Sequence, residues 1–201
     1  GHSSTWTPTS GALTDMPIAA FLSDATDERP QENALLTLET SVDPVWIDYN
    51  GHMTEWQYYK VLADAGENFL RALGFTEEYR LQGYSFFSVH GVMRNLKECR
   101  VGTPLSVFTE MIAYDAVRLH IYQYVVDKAR DLTVATGEHL MLHVDTSRRK
   151  RTPMNGYMSS CLEQALGRWR PILRPKGLGA QLGDQFALMN DEPSRSDRSR
   201  K

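Results

Sequence analysis

The chain has 201 residues, enough for one large domain or one domain with tails, and 41% hydrophobic against 23% charged residues is globular composition. A net charge of −3 supplies no basic surface for nucleic acid, and no apolar run reaches the roughly 20 residues of a membrane helix. Residues 1–30 lack the basic and apolar blocks of a secretory signal. Two cysteines, Cys99 and Cys161, have no paired spacing and suit a reducing cytoplasm. The chain opens on Gly1 rather than Met, so residues 1–3 read as a tag remnant, or the chain as a piece of a longer protein.

Residues 1–33 are rich in Pro, Ser, Thr and Asp and read as a linker with at most one short helix, near residues 18–22. Leu36, Leu38 and Val42 sit at even spacing, which predicts a strand over 34–42. Tyr58, Leu62, Ala65, Phe69 and Leu73 recur at spacings of three and four, one stripe of a helix over 54–73. Thr54 and Gln57 have the spacing of a capping box, Met53 is placed to staple onto Tyr58, and Gly74 suits the position after the last turn. From residue 84 to 144 the period is two. Phe87, Val89, Gly91 and Met93 alternate with polar or small partners. Segments 105–113 and 119–125 flank the turn "YDAVR", and 132–144 follows the turn at "DKARD". This predicts a meander of long antiparallel strands. A basic run over 147–151, a helix over 158–168 and a polar, mobile tail over 190–201 complete the chain. No internal repeat is present. One long helix covering one face of an antiparallel sheet is an α+β arrangement. The expected divisions are a flexible N-terminal segment (1–33), a main domain (34–145) and a C-terminal extension with one helix and a mobile tail (146–201).

The stretch "WIDYNGHMTEWQYY" gathers Asp48, Asn50 and His52 directly ahead of the long helix and surrounds them with aromatics. Strand, then D-x-x-G with a following His, then long helix and meander resembles the hotdog-fold thioesterases over roughly residues 34–145. Asp48 to Gly51 matches the D-x-x-G of the 4-hydroxybenzoyl-CoA thioesterase type. Asp48, Asn50 and His52 match the D-x-N-x-H of the plant acyl-carrier-protein thioesterases, and Tyr58 matches a recurrent tyrosine in the first helical turns. "WIDYNGHM", with "LHVDT" at the end of the last strand, is similar to the betainyl-CoA thioesterases of bacterial carnitine breakdown. In some bacteria that domain is fused behind a carnitine dehydrogenase. The resemblance implies a helix wrapped by the sheet, paired chains with sites at the dimer interface, an acyl-CoA substrate and no cofactor.

Thioester hydrolysis needs an attacking group and donors for the oxyanion. Asp48 can attack or take a proton from water, and the free backbone N–H groups around Glu55 and Trp56 lie at the positive end of the helix dipole. Asn50 and His52 suit orienting roles. Asp and Asn are equally turn formers, and His52 serves as well as a loop hydrogen-bonding residue. Asp64 and Glu67 stand where a second hotdog type carries its carboxylate, although solvated helix charges are the commoner reason for such residues. Trp46, Trp56, Tyr59, Tyr84 and Phe86 form a candidate cage for a trimethylammonium head, or else core aromatics. Arg148 and Arg149, in the run continued by Lys150 and Arg151, are candidates for the phosphates of coenzyme A or a solvated strand end. His139 and His143 on a strand lie about 13 Å apart, too far to share an ion, so no metal site is expected. There is no P-loop, G-x-G-x-x-G or G-x-S-x-G. The expectation is an acyl-CoA thioesterase acting as a homodimer or dimer of dimers. A different acyl or aryl group, a non-catalytic acyl-CoA-binding hotdog module and the hotdog hydratases are the rivals.

Overall fold

The computed structural model describes residues 28–173 and 175–179. The helix expected near 18–22 and the tail over 190–201 lie outside the described residues. The first strand, β1 (Leu35–Ser41), leads through a single 3-10 turn, Pro44–Trp46, to the long helix α1 (Glu55–Ala72) and a short helix α2 (Glu77–Leu81). Strands β2 (Tyr84–Asn95), β3 (Pro104–Tyr114), β4 (Arg118–Asp127) and β5 (Leu132–Asp145) follow, then a two-residue strand β6 (Lys150–Arg151) and a last helix α3 (Gly156–Trp169). All strands pair antiparallel in the order β1-β3-β4-β5-β2, with β6 on the free end of β5. β1 and β2 are therefore the two edges.

The helical stripe predicts the core. Leu62, Ala65 and Phe69 are fully buried, and Tyr58 and Leu73 nearly so. The N-terminal half of α1 packs with Leu105, Val107, Val125 and Val134, and the C-terminal half with Met111, Ile121 and Met141. The sheet therefore embraces the helix on one face, which is the hotdog arrangement. α3 belongs to the same packing unit, because its Met158, Leu162 and Ala165 enter the cluster around Phe69.

The capping box does not form. Thr54 is the N-cap, but its side chain makes no cap bond. Its hydroxyl instead donates to the Trp46 carbonyl at 2.8 Å. Gln57 is buried with an unpartnered side-chain oxygen rather than reaching back to the cap. A tertiary acceptor outcompetes the local one because the loop over 47–53 doubles back, pairing Ile47 with Met53 and bonding Met53 N–H to the Cys99 carbonyl at 2.8 Å. The C-terminus behaves as the sequence predicts. Gly74 has φ +94, and Phe75 N–H reaches the Leu70 carbonyl at 3.0 Å in a Schellman closure.

The other face of the sheet is closed by chain from both ends of the domain. Glu28 is buried and accepts from Tyr122 at 2.6 Å, from Gly177 N–H at 3.1 Å and from Arg94 at 3.0 Å. Glu110, with no exposure, accepts from Gln31 N–H at 3.2 Å and Tyr124 at 3.0 Å. His120 and Glu138 are paired at 2.9 Å in the same layer. Burial pushes the Glu110 carboxyl up to about 7. A raised carboxyl favours folding fully below its unfolded pKa and loses that contribution as pH climbs from about 4.5 through 7. The loss is on the order of 3 kcal/mol. Glu110→Gln should therefore flatten stability between pH 5 and 8 relative to wild type, read as the difference in urea midpoints at the two pH values. Parallel pH dependence in both proteins would discount Glu110 as its source.

Candidate active site

Asp48 is built into place by its own turn. Its Oδ1 accepts from Asn50 N–H at 2.8 Å and His52 N–H at 3.4 Å, while its own N–H donates to the His52 carbonyl at 2.9 Å. Partial desolvation pushes the carboxyl up, but the hydrogen bonds from Asn50 and His52 outweigh it and hold the group below the usual carboxylate range. Asp48 is half-buried and ionised at neutral pH. The Asn50 amide, exposed, reaches Asp48 Oδ2 only at 3.5 Å. The His52 ring pairs with Glu98, its Nε2 3.1 Å from Oε2.

These residues line a recess of about 370 Å³ with Glu55, Tyr58 and Lys97. The N–H groups of Glu55 and Trp56 begin α1 and have no hydrogen-bond partner among the described residues. Asp48 and Glu55, at the start of α1, thus line one small volume, and an attacking carboxylate beside free helical donors is the pairing that acyl transfer needs. Tyr58 is buried behind it, its hydroxyl 3.4 Å from the Lys97 carbonyl. A larger cleft of about 820 Å³ adjoins the recess, sharing Leu96, Lys97 and Glu98 and adding Arg100 and Arg130. Lys97, Glu98 and Arg100 were not among the sequence candidates. They sit on the β2–β3 connection, which reads as an ordinary polar loop until the Met53–Cys99 bond brings it to the turn.

The other candidates divide into two groups. Trp46 is half-buried against the cluster of Met53 and Tyr58. Trp56 is 61% exposed, and Tyr59, 42% exposed, stands edge-on to His139 at 5.7 Å. Burial lowers the His139 imidazole to about 4, so it is neutral. Tyr84 and Phe86 lie at the opposite end of β2, in a nest with Phe75, Tyr79 and His143. Eleven residue steps separate Tyr84 from Asn95, about 36 Å at 3.3 Å each. The five aromatics therefore form no single cage within one protomer. Arg148 and Arg149 are at that far end too. Arg148 is exposed, 3.7 Å from Asp145, and Arg149 occupies the turn at φ +52. Asp64 is paired with Lys60 at 2.5 Å and Glu67 with Arg71 at 3.3 Å along the exposed helical face. His143 is committed to structure: Nδ1 donates to the Thr152 carbonyl at 2.8 Å, and Nε2 accepts from Tyr79 at 2.9 Å. No helix among the described residues is long and apolar enough to cross a membrane.

A helix wrapped by an antiparallel sheet, with a carboxylate held before the helix, defines a hotdog-fold protein. The profile of the thioesterase-like superfamily matches residues 42–165, and the chain belongs to that superfamily. It is 40% identical over 116 residues to an L-carnitine dehydrogenase/betainyl-CoA thioesterase of Agrobacterium fabrum, covering 58% of this chain but 24% of that protein. A Rhizobium protein of the same name is 33% identical over 153 residues, 76% of this chain and 31% of that one. The chain thus spans a third or less of these two relatives. A betainyl-CoA thioesterase of Pseudomonas aeruginosa is 29% identical over 150 residues, 74% of this chain and 94% of that protein. Among solved structures, a Staphylococcus aureus protein in complex with CoA superposes with a TM-score of 0.68 at 21% identity, covering 75% of this chain and 96% of that one.

Proposed function

We propose that this chain is an acyl-CoA thioesterase that converts betainyl-CoA to betaine and CoA. The observation that carries the reading is that Asp48 shares a recess with Glu55 at the start of α1, where the Glu55 and Trp56 N–H groups have no hydrogen-bond partner among the described residues. The betainyl-CoA thioesterase relatives supply the acyl group. A carboxylate held below its usual range is a weak base and a persistent anion, which favours direct attack on the thioester carbonyl. The oxyanion then forms against the first turn of α1, the thiolate of CoA leaves, and water hydrolyses the acyl-enzyme anhydride. Glu98 orients His52, and Asn50 stands beside the attacking carboxylate. The enzyme acts in the cytoplasm as a homodimer, without cofactor.

The quaternary ammonium of betaine donates no hydrogen bond and gains most from ring faces. Trp56 and Tyr59 are exposed on the first turns of α1. Trp46, half-buried against the cluster of Met53 and Tyr58, is instead a stability residue. Free-thiol release should be faster from betainyl-CoA than from its uncharged isostere, 3,3-dimethylbutanoyl-CoA. Each ring face contributes about 0.5–2 kcal/mol, or roughly two- to thirty-fold in kcat/KM. Trp56→Leu and Tyr59→Leu should each shrink that preference, whereas Trp46→Leu should lower stability and affect both substrates alike. Equal wild-type rates on the two esters would remove betaine and leave a general acyl-CoA thioesterase. Binding without thiol release would leave a non-catalytic acyl-CoA-binding module.

A further inference from the structure

The position of Asp48 depends on His52. The His52 carbonyl accepts from Asp48 N–H at 2.9 Å, and His52 N–H donates to Asp48 Oδ1 at 3.4 Å. His52 and its neighbour are in turn held by the β2–β3 connection. Glu98 Oε2 stands 3.1 Å from His52 Nε2, and the Cys99 carbonyl accepts from Met53 N–H at 2.8 Å. The connection is anchored on either side of these two residues. Leu96 and Lys97 N–H both reach the Val134 carbonyl, at 2.9 and 3.0 Å, and Gly102 N–H reaches the Val42 carbonyl at 2.9 Å. Between those anchors, the peptide that carries Glu98 is fixed from a different part of the fold.

That part is the β4–β5 turn. Arg130 Nη2 donates to the Glu98 carbonyl at 2.9 Å, and its Nε donates to Asp127 Oδ2 at 2.5 Å. Asp127 is buried, and its Oδ1 closes the turn by accepting from Ala129 N–H at 2.8 Å and Arg130 N–H at 3.2 Å. A guanidinium is planar and rigid, so fixing Nε on Asp127 also aims Nη2. The buried Cys99 thiol bonds to both Arg130 and the Tyr58 hydroxyl. With 47% of the Arg130 side chain exposed, solvent screens its charge pair with Asp127. What the fork supplies is therefore position more than stability. Arg130 lines the larger cleft, whereas the Asp48 recess is lined by the residues that it holds.

We propose that Arg130, held by Asp127, is a positioning residue for thioester hydrolysis. It fixes the Glu98 peptide, so that the Glu98 carboxylate holds the His52 ring. The His52 backbone then keeps the Asp48 carboxylate in place beside the first turn of α1. The proposal rests on the reading of Asp48 as the attacking group. It gives a catalytic consequence to a turn that touches no substrate.

The test combines turnover with a measurement that needs no substrate. A misplacement of about 1 Å can cost roughly 10²-fold, so Arg130→Met should lower kcat on betainyl-CoA by about ten- to a hundred-fold with KM nearly unchanged. Arg130→Lys keeps the charge but loses the fork, and should recover little of that. Glu98→Gln breaks the same line of contacts, so the double variant should be no slower than the slower single one. Lys128→Met, on the same turn and paired with Glu39 at 2.6 Å, should leave kcat unchanged. In substrate-free protein, the nitrogen-15 NMR signals of the His52 ring should move in the same sense in Arg130→Met as in Glu98→Gln, and stay in place in Lys128→Met. Wild-type kcat per folded molecule in Arg130→Met, full recovery by Arg130→Lys, additive losses in the double variant or unmoved His52 signals would each overturn the proposal. Wild-type chain inert on every thioester would instead strike the thioesterase reading, and the His52 signals would still decide whether Arg130 sets the position of Glu98.

Discussion

Asp48→Ala should leave a folded protein whose kcat for thioester hydrolysis has fallen by about 10²–10⁴, the usual loss for a positioned attacking or proton-transferring group. Two roles must be separated, because Asp48 also closes the turn that accepts from Asn50 and His52 N–H. Asp48→Asn separates them. Its amide oxygen still accepts both N–H groups, so the turn persists, but the negative charge is gone. Both variants should therefore lose turnover to a similar degree, while circular dichroism and urea midpoints stay close to wild type for Asp48→Asn. The position is half-buried at the mouth of a recess, away from the apolar clusters, so little core energy is at stake. Near wild-type turnover by folded Asp48→Asn would sink the assignment. Asp64 and Glu67 would then be examined next, despite their ion pairs with Lys60 and Arg71.

The largest expected loss of stability is at Phe69. Its ring is fully buried, stacks on Trp169 of α3 at 5.5 Å, and sits with Met111 and Ile121 of the sheet. Phe69→Ala deletes the contact through which α1, α3 and the sheet meet, and the cost of such a cavity is about 3–5 kcal/mol. Against a typical total of roughly 5–15 kcal/mol, that is enough to bring unfolding near ambient temperature. Urea or thermal unfolding reads it directly. A loss under about 1 kcal/mol would mean that α3 docks independently of the ring and that the core does not run through it.

Much of this architecture is legible in the chain because it rests on local periodicity. The three-and-four stripe from Tyr58 to Leu73 is both the evidence for α1 and the surface that it buries. The strands from 84 to 144 are long enough for a period of two to be read without ambiguity, and Gly74 closes the helix for a reason internal to its own backbone. The resemblance carried by Asp48, Asn50 and His52 likewise depends on a contiguous string. The capping box failed on the same stretch because its partner was not local: Thr54 found the Trp46 carbonyl, eight residues back, once the loop had folded over.

The candidate site was legible in its carboxylate and helix start, less so in its walls. His52 was named, but its partner Glu98 was not, since 46 positions separate them and only the return of the β2–β3 connection joins them. The aromatics near Asp48 in sequence suggest a cage with Tyr84 and Phe86, or else core packing, and the length of β2 carries those two to the other end of the sheet.

By itself, then, the sequence determined the α+β class, the buried face of α1, the strand meander and the identity of Asp48 as the residue to test. All of these follow from side-chain period, backbone preference or adjacency along the chain. Only the tertiary structure decided that the Thr54 side chain makes no cap bond, that Glu98 holds His52, that α3 completes the core, and that segments 28–31 and 177–179 close the far face through Glu28 and Glu110. Each of those depends on which distant acceptor or ring arrives first at a buried group. That is set by strand order and register, and no local pattern encodes it.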